Sequence, residues 1–169
     1  MTGILRLLTT FDERIGRQKF WLGVLCVVVA HTIVAALLMA AGLRQVDTIV
    51  GSVQVNGNAA ENFTSINMTL LPWASFVLSL LSAVPMVAIS IKRRHDRNFS
   101  GVDVIAFAGL MLFSQFLNTL GTPTGWFATT LGLVLTVWGL CLFILIGFLK
   151  GTTGPNQYGP DPLAAPAAA

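Results

Sequence analysis

Four stretches, Phe20–Gly42, Thr69–Ile91, Val102–Leu120 and Trp126–Leu149, carry no Asp, Glu, Lys or Arg except Asp103, in the first turn of the third. About 20 apolar residues in a helix cross the roughly 30 Å hydrocarbon core of a bilayer. Lipid offers no hydrogen bonds, so such a segment must satisfy its backbone internally as a helix. Only 10 % of the 169 residues are charged, against about 25 % in soluble domains. The expected fold is all-α: a polytopic membrane protein with four transmembrane helices and a short amphipathic N-terminal segment. The expected division is 1–19 for that segment, 20–162 for the membrane domain and 163–169 for a disordered Ala-Pro tail. The first apolar run is longer than a signal-peptide core and follows a charged segment, so it is expected to stay uncleaved.

The charges are distributed unevenly. Arg6, Arg14, Arg17 and Lys19 precede the first span; Lys92, Arg93, Arg94 and Arg97 lie between the second and third; Lys150 follows the fourth. Only Arg44 falls on the opposite side. The positive-inside rule then predicts both termini and the basic connection in the cytoplasm. A net charge of +3 reflects this asymmetry, and anionic lipid is the partner it implies. Nucleic acid is not an expected partner.

Residues 1–19 mix Ile4, Leu5, Leu7, Leu8, Phe11 and Ile15 with Arg6, Asp12, Arg14 and Arg17 at roughly helical spacing. Such a segment lies in the headgroup plane, and Trp21 anchors the span that follows. The outer loop, Leu43–Met68, alternates weakly, but Gly51 and Asn56-Gly57 point to a hairpin-like turn rather than long strands. Ser75, Ser79 and Ser82 share one face of the second span, and Gly132, Thr136 and Gly139 one face of the fourth. Small residues of this kind serve close helix packing. Pro85 is expected to kink the second span. Gly121–Gly125 is a tight turn that makes the third and fourth spans antiparallel neighbours. The Gly- and Pro-rich run after Leu149 excludes a helix. Cys26 and Cys141 read as small packing residues.

Three ordered segments carry a resemblance. Phe11-Asp12-Glu13-Arg14-Ile15-Gly16-Arg17-Gln18-Lys19-Phe20-Trp21 resembles F-x-G-R-x-x-R-x-x-F-W. Arg93-Arg94-His95-Asp96 with Ser100-Gly101 resembles R-x-H-D-x-x-x-S-G. Gly154-Pro155-Asn156-Gln157-Tyr158-Gly159-Pro160-Asp161-Pro162 resembles G-x-N-x-Y-G-x-D-P. Together they resemble the bacterial inner-membrane family called domain of unknown function 805, across nearly the whole chain. The chain departs from the pattern at Glu13, where Gly is usual, at Arg94, where an apolar residue is common, and at Val102, where Trp is common.

All three segments fall at the basic end, where Arg14, Arg17, Arg93, His95, Asp96, Asn156, Tyr158 and Asp161 are the candidate residues. Guanidinium groups suit carboxylate or phosphate, so the set reads as an ion-paired cap or as an anionic-headgroup site. A second candidate set is intramembrane: His31, Gln115 and Asn118. Intramembrane polar groups mark solute paths in carriers, and small-transporter function is the alternative to a lipid- or protein-interacting role. No activated nucleophile or phosphate loop is present, so no enzyme activity is expected. No cofactor or metal is expected either, since His31 and His95 belong to different compartments. Anionic lipid headgroups are the expected partners, with a second copy or another membrane protein as further candidates.

Overall fold

The computed structural model describes residues 2–53, 61–121 and 125–163. Its order is α1 (Thr2–Thr9), α2 (Arg17–Ala40), β1 (Arg44–Val53), β2 (Glu61–Leu70), α3 (Pro72–Asp96), α4 (Val102–Thr119) and α5 (Trp126–Gly147). The helices α2 to α5 are the four long and apolar enough to cross a membrane, so the chain is a mostly helical, multi-pass membrane protein. Their alternating directions bring α1, the α3–α4 connection and the segment after α5 to one end, here the basic end. Buried residues gather there too, around Ile15, Phe20, Ile89, Ile91, Leu142 and Ile146. Elsewhere large apolar side chains such as Leu25, Leu37 and Leu133 stay exposed, as helices bathed in lipid require.

The structure refines one expectation and corrects two. First, the short amphipathic N-terminal segment is present, with its helix confined to Thr2–Thr9. Glu13 adopts a left-handed φ of 86°, which turns the chain and drives Arg14 and Ile15 inward, where both are buried. Glu13 occupies the place where the resembled pattern carries Gly. The left-handed conformation crowds Cβ against the backbone and costs an L-residue about 1–2 kcal/mol. Its ion pair with Arg6, at 2.7 Å, is exposed on both sides and offsets little of that.

Second, the outer segment forms a hairpin with two ten-residue antiparallel strands, Arg44 opposite Leu70 through Val53 opposite Glu61. Cross-strand pairs Val46–Met68 and Thr48–Ile66 put apolar and β-branched residues on one face, and such pairs stabilise a ribbon despite Gly51. The expected turn at Asn56-Gly57 lies outside the described residues, as does the tail from residue 164 on. Leu163 itself is described, with its N–H donated to Asp161.

Third, the basic connection is largely helix. Within α3 the helix continues past Pro85 and through Lys92-Arg93-Arg94-His95-Asp96. Cations in a last turn complement the helix dipole. The helix closes with a Schellman turn: Phe99 N–H donates to Arg94 C=O at 3.1 Å and Asn98 N–H to His95 C=O at 3.0 Å. Asn98 supplies the left-handed residue, with φ 65°. Gly101 then opens α4 at φ 76°, and a Cβ there would press on Ile91 at 3.0 Å. The Ser-Gly step is thus a packing requirement.

Glu13→Gly is expected to raise stability by about 0.5–1 kcal/mol, the relief of left-handed strain less glycine's entropy. Thermal unfolding in detergent measures it; an unchanged or lower midpoint would show that Glu13 sits there unstrained.

Candidate functional site

A helix leaves its last four carbonyls without intrahelical partners. At the end of α5 that deficit extends over five consecutive residues, and side chains from α2 and from α3 with its cap meet it. Arg97 donates to Leu145 C=O at 2.9 Å, Arg93 Nε to Ile146 C=O at 3.0 Å, Trp21 Nε1 to Gly147 C=O at 3.2 Å and Arg17 to Phe148 C=O at 3.3 Å. Arg93 also donates to Leu149 C=O. Trp21 lies so close over Gly147 that a Cβ there would stand 2.8 Å from its ring. Its indole therefore faces α5 in addition to opening α2. Lys92 does the same for α1, donating to the carbonyls of Arg6 and Leu7 at 2.8 Å each.

The centre of the arrangement is Asp96, whose side chain is 6 % exposed, between guanidinium groups that are 1 % exposed. One carboxylate oxygen accepts from Arg14 Nε at 3.3 Å and from its terminal nitrogen at 3.1 Å. The other pairs with Arg93. Arg14 also donates to the carbonyls of Thr152 and Gly154 at 2.8 Å and of Gly159 at 3.2 Å. Both arginines thus direct their donors at Asp96 and at backbone oxygens, not outward.

The segment after α5 folds over this pair. Thr152 donates its N–H and its hydroxyl to Asp96 C=O at 2.9 and 3.0 Å. Gly151 runs so tightly past the Asp96 carboxylate that no side chain fits there. Asn156 Nδ2 donates to His95 C=O at 2.9 Å, and Tyr158 stacks on the His95 ring with centroids 3.8 Å apart. Asn156 and Gly159 exchange backbone hydrogen bonds at 3.0 Å. Asp161 accepts from the N–H groups of Gly154 and Leu163, 2.9 Å each. Those backbone donors, with Arg14 and Lys150 nearby, hold its carboxyl below the usual value of 3.8. His95 Nδ1 is buried without a hydrogen-bond partner among the described residues.

The structure therefore brings together Arg14, Arg93, His95, Asp96, Asn156 and Tyr158, with Arg17 at the rim and Asp161 bracing the tail. Sequence reasoning missed Thr152, Gly151, Lys92, Arg97 and the pair Arg94–Asp103. Asp103, in the first turn of the third span, is reached by Arg94 Nε at 3.1 Å across the Schellman turn. Their nine-residue spacing on either side of Ser-Gly was the available signal.

The intramembrane set is not assembled into one site. His31 Nδ1 bonds Ser82 Oγ at 2.8 Å between α2 and α3, and Gln115 Nε2 bonds Ser75 Oγ at 3.0 Å between α4 and α3. Asn118 is exposed near the far end of α4. The serine face thus serves two different neighbours of α3.

Residues 8–160 match the family model described as protein of unknown function (DUF805). The chain belongs to that family. The match takes in every clasp residue from Arg14 to Gly159. The chain is also similar to the uncharacterized protein YiiR of Escherichia coli (strain K12), 29% identical over 157 residues that cover 91% of this chain and 86% of the relative. YiiR of Escherichia coli O157:H7 gives the same figures. No solved structure matches. The bond network gives these DUF805 segments a shared physical role: the first and last motifs close over the central one.

Removing one member of a buried pair leaves an uncompensated charge and costs about 3–5 kcal/mol. Asp96→Ala is expected to lower stability by that much in equilibrium unfolding, and Lys19→Ala, at an exposed cation, by less than about 0.5 kcal/mol. Comparable losses would contradict the clasp. For Asp161 the lowered pKa means its contribution is complete above the ordinary carboxylate value and is lost as pH falls through the folded value. Hydrogen exchange of residues 151–163 is expected to speed up under acid below about pH 3.8, and at neutral pH in Asp161→Ala.

Proposed function

We propose that this protein is a non-enzymatic membrane protein that acts by contact with anionic lipid, its basic end facing the cytoplasm. The observation that carries this reading is the division of labour among the cations. Arg14 and Arg93 are buried and committed to Asp96 and to backbone carbonyls. Lys19 and Lys150 are exposed and make no ion pair among the described residues. The exposed cations ring a rigid platform at the depth of the headgroups, where each gains about 1 kcal/mol from an anionic surface. The role assigned to the inner arginines is to hold that platform in shape.

Against the transporter alternative stands the placement of the intramembrane polar groups. His31 and Gln115 each bond a serine of α3, on different helix pairs, and interhelical bonds of this kind serve packing. A protein partner or second copy remains compatible with the same platform, but no bond or charge in the structure favours it over lipid.

Native mass spectrometry with added phosphatidylglycerol and phosphatidylcholine tests the reading. The wild type is expected to retain the anionic lipid preferentially, and Lys19→Gln/Lys150→Gln to lose about 1 kcal/mol per charge of that preference with unfolding unchanged. Equal retention of both lipids by the wild type would overturn the proposal. The cytoplasmic placement predicts that a cysteine introduced at Lys150 resists an impermeant thiol reagent in intact cells and reacts in inverted vesicles.

A further inference from the structure

Between α3, α4 and α5 lies a lipid-facing groove of about 300 Å³. Among its lining residues are Ser79, Ala83 and Ser90 of α3, Phe107 of α4, and Leu142 and Ile146 of α5. The walls are apolar apart from the two serines. Ser90 is 9 % exposed, and neither its hydroxyl nor that of Ser79 makes a hydrogen bond among the described residues. Serine in a helix commonly bonds back to the carbonyl four residues earlier; these two do not, and both line one groove.

A cation lies on the same side. Ser79, Ser90 and Arg97 are separated by 11 and 7 residues, close to whole numbers of helical turns, so they fall on one face of α3 and its cap. From Ser90 to Arg97 the rise is about 10 Å. The Arg97 side chain folds back from there to Leu145 C=O, next to Ile146, which lines the groove. Among the described residues no carboxylate pairs with it: Asp96 serves Arg14 and Arg93, and Asp103 serves Arg94. Desolvation and the nearby Arg94 both disfavour the charged guanidinium, and a bound anion relieves the second effect. Phe99, Val102 and Phe148, at the same end of the helices as Arg97, are exposed.

We infer that this groove is a phospholipid site: an acyl chain lies along the Ser79–Ser90 face of α3, and the phosphate of an anionic phospholipid sits on Arg97. Ser90 donates its hydroxyl to an ester carbonyl between the two. The occupant is a lipid because apolar walls open to the bilayer, ester-depth hydroxyls and an interfacial cation follow one another in the order of a phospholipid's own parts. The inference rests on the lipid-contact reading above and names where one lipid is held.

The test adds two variants to the same lipids and detergent. Arg97→Gln removes the cation, and Ala108→Phe fills the groove from α4, where Ala108 is a lining residue. Arg97→Gln is expected to cut retention of phosphatidylglycerol about fivefold and to leave that of phosphatidylcholine unchanged, while Arg97→Lys restores most of the loss. Ala108→Phe is expected to reduce retention of both lipids. Thermal unfolding identifies any variant that fails to fold; if Arg97→Gln does, the comparison of Arg97→Lys with Ala108→Phe carries the test. A wild type that prefers phosphatidylglycerol, with that preference lowered by Lys19→Gln/Lys150→Gln but by neither groove variant, would overturn this site and leave the lipid-contact reading standing. Loss in only one of the two groove variants overturns it as well, since headgroup and chain must be held together. A wild type with no preference overturns both.

Discussion

The arrangement of the basic end depends on one carboxylate. Asp96 separates two guanidinium groups that burial would otherwise force to repel each other. It sits at the last residue of α3, so the same residue offers its side chain to Arg14 and Arg93 and its carbonyl to Thr152. Three chain segments far apart in sequence are tied through this single position. A pair of this kind does little for stability relative to an apolar replacement, but once built, the loss of one member is costly. It therefore fixes which segments meet, and Gly151 passes it too closely for any side chain.

The bilayer explains why so many arginines are present. A helix that ends near the interface has carbonyls that neither lipid nor a following turn satisfies. The end of α5 borrows donors from α2 and from α3 for this purpose. Arg suits the task because its planar fork reaches two acceptors at once and keeps its charge when buried. The positive-inside asymmetry of the sequence is thus partly a consequence of helix capping, with the exposed Lys19 and Lys150 left to face the surroundings.

Most of the fold was legible because its signals are one-dimensional. Apolar runs end where charges begin, and the predicted span limits differ from the helices by a few residues, except where α3 runs on through Asp96. The clasp was legible as a list, since the three motifs put Arg14, Asp96 and Asn156 at one end. Its inner connections were not, because contacts spanning 82 or 140 residues leave no spacing to read. Thr152 looked like any residue of a Gly- and Pro-rich run, and the left-handed turn at Glu13 was masked by a residue that rarely adopts it. The long strands of the hairpin were missed because Gly51 outweighed an alternation that only cross-strand pairing makes meaningful.

This account separates cations that build the protein from cations that meet its surroundings. A double-mutant cycle on Arg14→Ala and Asp96→Ala, read by reversible unfolding in bicelles, tests the first half directly. Groups joined in one buried network show coupling of about 0.5–3 kcal/mol, and the account predicts a value above about 1 kcal/mol, with the second substitution adding little once the first is made. Additive losses would contradict it, since they would mean that Arg14 and Asp96 stabilise the protein independently and that no clasp joins them.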